Sequence, residues 1–139
     1  MEVRPKKSLG QHFLNDRQVA WRIVESLLPG TGTMTGQGCA VVEVGPGTGV
    51  LTSFLLEKPG IDYYAIELDR ESVAFLQKKY PGLGDRLITG DFLTVSRSVF
   101  PHEFSLIGNF PYNISSQIFF RVLEWRGSVP RIVGMLQKE

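Results

Sequence analysis

Val41-Val42-Glu43-Val44-Gly45-Pro46-Gly47-Thr48-Gly49-Val50-Leu51-Thr52 decides the fold of this 139-residue chain. The apolar run Cys39–Val44 meets a glycine turn, and a helical pattern over 48–56 follows. The same alternation repeats downstream. Strands are expected at 63–68, 87–89, 104–108 and 131–136, and helices at 70–80 and 115–125. Upstream, Val19, Ala20, Ile23, Val24, Leu27 and Leu28 share one face of a helix over 16–28 that Pro29-Gly30 stops, and 30–38 reads as a loop. Strands alternating with helices predict parallel βαβ units and an open, doubly wound α/β sheet. Ligands of such sheets bind past the carboxyl ends of the strands.

The loop at that first strand end discriminates between ligands. A dinucleotide fingerprint G-x-G-x-x-G requires glycine at position 50, where this chain has Val50. Glu43, two residues before Gly45, would repel a pyrophosphate but tolerate an ammonium or a sulfonium. Gly45 and Gly47 let the backbone turn and a ligand approach. The loop therefore favours S-adenosylmethionine; a nucleotide and a plain structural turn stay open. Glu67 closes the second strand 22 residues after Gly45, the place from which a carboxylate accepts from ribose hydroxyls. Asp69 is expected to cap the next helix. After the third strand, Asp91 offers an acceptor to an adenine amine, and Phe92 an apolar cover for its ring.

Asn109-Phe110-Pro111-Tyr112-Asn113 stands at the end of the fourth strand. The amide oxygen of Asn109 can accept one N–H of an exocyclic amine, and a main-chain carbonyl at Phe110 or Pro111 the other. Pro111 fixes the chain there and offers only an acceptor. Tyr112, with Phe110, offers a ring for a flat base to stack on. Set beside a site for an electrophilic methyl group, this motif points to methyl transfer to adenine. Ser115 or Ser116 is the expected cap of the helix that follows, and Gly127 lies after its end.

Composition sets wider bounds. Hydrophobic residues make up 42% and aromatics 11%, enough for one real core, and the net charge of +1 says nothing global about nucleic acid. Arg4, Lys6, Lys7, Arg17 and Arg22 nevertheless make the N-terminal arm basic. The single cysteine, Cys39, reads as a core thiol and excludes an internal disulfide or a cysteine metal cluster; no metal site is expected. His12 has no evident catalytic partner, and His102 reads as a loop residue. No apolar stretch approaches the roughly 18 residues that span a bilayer, and no signal peptide is recognised, so the expected location is cytoplasmic, without a membrane partner.

Several segments together resemble one family. KKSLGQHFL (6–14), VVEVGPGTGVLT (41–52), AIELD (65–69), GDF (90–92), NFPYNIS (109–115) and GMLQKE (134–139) are similar, in order, to the ribosomal RNA adenine dimethyltransferases of the small-subunit type. The resemblance implies a Rossmann-like S-adenosylmethionine-dependent methyltransferase fold. It implies dimethylation of the exocyclic amines of two adjacent adenosines of 16S rRNA, on a pre-30S particle, during ribosome biogenesis. It implies cofactor contacts from His12, Leu14, Gly45, Gly47, Glu67, Asp91, Phe92 and Asn109, and a catalytic pocket of Asn109, Pro111 and Tyr112. The family commonly has Leu at position 110 and Asn at position 12. Phe110 keeps the pocket apolar while narrowing it, and His12 keeps a hydrogen-bonding group. Close relatives act on large-subunit rRNA; the GPGTG loop and the PYNIS ending favour the small-subunit type.

Residues 1–139 are accordingly expected to form an incomplete S-adenosylmethionine-binding methyltransferase domain, truncated after the fifth strand. The family's last two strands and its C-terminal helical domain, which contributes to RNA recognition, would be absent. Other readings remain open on the residues alone: an adenine methyltransferase acting on other RNA or on DNA, a non-catalytic ribosome-assembly factor, and a nicotinamide-dependent oxidoreductase. Val50 and Glu43 argue against the last.

Overall fold

Five parallel strands lie side by side in the computed structural model, which describes residues 16–27, 39–110 and 114–136. They are β1 (Cys39–Val44), β2 (Ile61–Glu67), β3 (Leu87–Thr89), β4 (Ser105–Phe110) and β5 (Ile132–Leu136), in spatial order β3-β2-β1-β4-β5. The helices are α1 (Arg17–Leu27), α2 (Val50–Glu57), α3 (Arg70–Lys79) and α4 (Ser115–Glu124). Chain order reverses between β1 and β4, which makes their carboxyl ends the switch point of a doubly wound sheet.

Strand alternation sorts the core into two layers. Val41, Ala65 and Ile107 face Leu27, Leu55 and Leu76 of α1, α2 and α3. Val42, Ile66 and Leu106 face Ile118 and Val122 of α4, with Phe92, Phe100 and Phe104. The connection from β3 to β4 contains no α-helix; residues 90–104 cross beside α4 with one short 3₁₀ turn, Arg97–Val99. Trp125 closes this layer, 5.5 Å from the Phe92 ring and edge-on to it.

Several boundaries moved for identifiable reasons. The helix expected from position 48 starts at Val50, because Gly49 is left-handed at φ 90° and cannot begin a right-handed turn. β4 runs two residues further than expected, since Asn109 and Phe110 pair with Met135 and Leu136 of β5. Asp16 caps α1 by accepting from the Gln18 and Val19 amides. Asp69 caps α3 as expected, accepting from the Ser72 amide and hydroxyl. The cap expected at Ser115 or Ser116 is corrected: Ile114 holds the N-cap position of α4 without a side-chain bond. Its carbonyl already accepts the Ile118 amide, so both serines fall inside the first turn.

At the far edge, Gly108 and Gly134 face each other across β4 and β5, and the Phe110 ring lies over both. A Cβ on Gly134 would stand 2.6 Å from the Phe110 ring and 2.3 Å from the Gly108 carbonyl oxygen. Arg17 and Arg22 of the basic segment are exposed on α1; Arg4, Lys6 and Lys7, the loop at 30–38, the stop at Pro29-Gly30 and the Cys39 side chain lie outside the described residues. Among the described residues, no helix is long and apolar enough to cross a membrane.

Candidate active site

The parallel register brings the glycine loop after β1, Glu67 at the end of β2, Asp91 after β3 and Asn109 near the end of β4 to one edge of the sheet. Three left-handed glycines shape the loop, Gly45 at φ 69°, Gly47 at 59° and Gly49 at 90°. A side chain at any of them would be strained. A Cβ on Gly45 would meet nothing within 4 Å, so open space lies over the loop at the switch point. That space beside a glycine turn, with three polar side chains around it, fits an amino-acid-bearing nucleoside such as S-adenosylmethionine.

Glu67 is 3% exposed and ties this edge together. One carboxylate oxygen accepts the Gly47 amide and the other the Asp69 amide, both at 2.9 Å. Burial raises its pKa, partly offset by those amides. A carboxylate has about four lone-pair sites, more than the backbone amides occupy, so the group that pins the loop can still accept from a ribose hydroxyl.

Glu43 lies on the same face, 1% exposed. The Thr52 hydroxyl donates to one of its oxygens at 2.7 Å and the Tyr63 hydroxyl at 2.6 Å. Burial pushes its pKa to about 7; the two hydroxyls pull it down and the nearby Glu67 charge adds to the rise. Glu43 thus points between β1 and α2, held by Thr52 and Tyr63. Thr52 and Tyr63 were missed from sequence. An acidic residue inside an apolar strand requires buried donors, and that was the available signal.

Asp91 is half-buried and its side chain accepts the Leu93 amide at 2.9 Å. The carboxylate has acceptor capacity beyond that one bond. Phe92 is 3% exposed and packs on Phe100 and Trp125, so its ring anchors the segment to the core. Asn109 is half-buried at the edge. Phe110 is 1% exposed, against Phe119 and the facing glycines, and presents no open ring face. His12, Leu14, Pro111 and Tyr112 lie outside the described residues. His102 is an exposed loop residue.

Comparison with known proteins bears on this arrangement. The family model described as "Ribosomal RNA adenine dimethylase" matches residues 3–139. The chain is 52% identical over 138 residues to "Ribosomal RNA small subunit methyltransferase A" of Parabacteroides distasonis, covering 99% of this chain and 49% of that protein. It spans about half the length of the curated relatives it matches. Among solved structures it resembles a dimethyladenosine transferase from Plasmodium falciparum, with TM-score 0.69 and 27% identity over 91% of this chain and 44% of that one. It also resembles the 23S rRNA methyltransferase ErmE, with TM-score 0.60 and 28% identity over 87% of this chain and 45% of that one.

Proposed function

The chain belongs to the ribosomal RNA adenine dimethylase family, and on that premise we propose that it carries the catalytic part of S-adenosylmethionine-dependent dimethylation of two adjacent adenosines in small-subunit (16S) rRNA. The observation that carries the reading is the meeting of a left-handed glycine loop, Glu67, Asp91 and Asn109 at one sheet edge. The partner is the small-subunit rRNA of a pre-30S particle in the cytoplasm.

Gly45, Gly47, Glu67 and Asp91 would hold the cofactor, joined by His12, Leu14 and Asn109, and it supplies an electrophilic methyl group. Glu67 receives the ribose hydroxyls and Asp91 the adenine amine. Phe92 fixes the height of Asp91 from below. The target adenosine leaves its RNA context to enter the pocket. Asn109 accepts one N–H of its amine and a main-chain carbonyl at Phe110 or Pro111 the other, so the nitrogen lone pair is aimed and less delocalised. Stacking falls to Tyr112, because the Phe110 ring is committed to the core. The ammonium product is acidic and loses its proton to water, so no strong general base is required.

Two measurements test this. Isothermal titration with S-adenosylhomocysteine should give binding, and NAD should give none; the reverse would sink the reading. Incubation with S-adenosylmethionine and unmethylated pre-30S particles should yield N6,N6-dimethyladenosine by mass spectrometry. Product on large-subunit rRNA or DNA instead would move the chain to that substrate. Binding without product on any of them would favour an assembly factor.

A further inference from the structure

The segment that crosses from β3 to β4 has no α-helix of its own to hold it, yet it carries Asp91. Its local order comes from within: the Asp91 carbonyl accepts the Thr94 amide at 3.0 Å and the Val95 amide at 2.9 Å, and the Asp91 side chain accepts the Leu93 amide. Gly90 donates to the Glu67 carbonyl at 3.0 Å, which ties the start of the segment to β2. Its carbonyls are gripped from the other side. Arg121, on α4, donates from its two terminal nitrogens to the Leu93 and Val95 carbonyls. The same guanidinium lies 4.5 Å over the Trp125 ring, whose edge meets Phe92. A planar fork holds two carbonyls at a fixed spacing, which an ammonium on a flexible stem does less well. α4 begins five residues after Phe110, the residue that ends β4.

We propose that Arg121 is a positioning residue that mounts the cofactor's adenine segment, residues 91–95, on α4, the helix that follows β4 and its Asn109. Two half-sites from different strands are thereby held at one spacing. The inference rests on Asp91 reading the cofactor adenine, and the experiment separates the two.

The first readout concerns the clamp alone. In amide hydrogen exchange on the whole chain, Arg121→Met should speed exchange at Leu93, Thr94 and Val95 by about tenfold, the equivalent of losing a charged hydrogen bond. Amides of β1 and β4 should keep their protection. Unchanged exchange at 93–95 overturns the proposal. The second readout is titration with 5′-methylthioadenosine, which carries adenine and ribose but no amino acid. Arg121→Met should weaken it by about tenfold, and Arg121→Lys by less. Arg121→Met combined with Asp91→Ala should bind no worse than Asp91→Ala alone, because Arg121 acts only through that segment. Additive losses overturn it. If Asp91→Ala leaves binding intact while the exchange result holds, the adenine reading fails and the clamp stands. Should Arg121→Met not fold, Arg121→Lys takes its place in both readouts. Faster exchange confined to 93–95 supports the proposal, and wild-type exchange overturns it.

Discussion

A carboxylate inside an apolar strand constrains its neighbours, and Glu43 shows how far. Its folded pKa of about 7 stands above the ordinary 4.5, so the protonated form is favoured by folding. That contribution is whole below pH 4.5 and is lost as pH rises through 7. Glu43→Gln, which keeps the acceptor for Thr52 and Tyr63, should therefore gain on the wild type by on the order of 3 kcal/mol between pH 4.5 and pH 8. Urea unfolding at several pH values reads this directly, and a pH-independent difference would refute the burial argument. At the amine pocket, Asn109→Ala should raise the barrier by on the order of 2–4 kcal/mol, by analogy with the loss of one oxyanion-hole donor. Single-turnover methyl transfer is the measurement, and near-wild-type turnover would remove Asn109 from the mechanism. That Glu67, Asp91 and Asn109 come to one sheet edge was legible, because each stands at or just after the end of an apolar run in a chain that alternates strands with helices. The inward turn of Phe92 and Phe110 was not, because an aromatic beside a polar motif reads the same whether it faces ligand or core.

Between residues and fold, the elements that chain-local rules govern were legible and those that pairing governs were not. Asp69 before an apolar helical pattern is a cap on any reading, and it caps α3. The end of β4 depends on β5, 22 residues or more further on, and no local signal carries it. The start of α4 turned on Ile114, whose carbonyl accepts the Ile118 amide and so opens the helix one residue before the serines. The β4–β5 pair makes its own prediction. Gly134→Ala places a Cβ against a backbone oxygen that no rotamer change can move, so it should cost about 1–3 kcal/mol. Phe110→Leu in the same chain would relieve the ring contact but not the carbonyl contact, so rescue should be partial. Equal denaturation midpoints for wild type and Gly134→Ala would show that the two glycines do not face each other.

The molecule as a whole was legible from its rhythm. A parallel sheet with its switch point between β1 and β4 follows from strands and helices taken in turn, and the ligand edge follows from the switch point. The opposite edge has a different character. Here the 3₁₀ turn Pro81–Arg86 is nearly all exposed, holds Gly84 at φ 52°, and contributes nothing to the ligand edge. A short flexible insertion after Gly84 should leave binding of S-adenosylhomocysteine unchanged, whereas the same insertion after Pro46 should abolish it, both read by calorimetry. Loss of binding in the first case would mean that the two edges communicate. If they do not, the turn at Gly84 is a handle: a dye, an affinity tag or relocated chain termini could be placed there. The protein could then be tethered to a surface or watched one molecule at a time with its glycine-loop edge left open to solution.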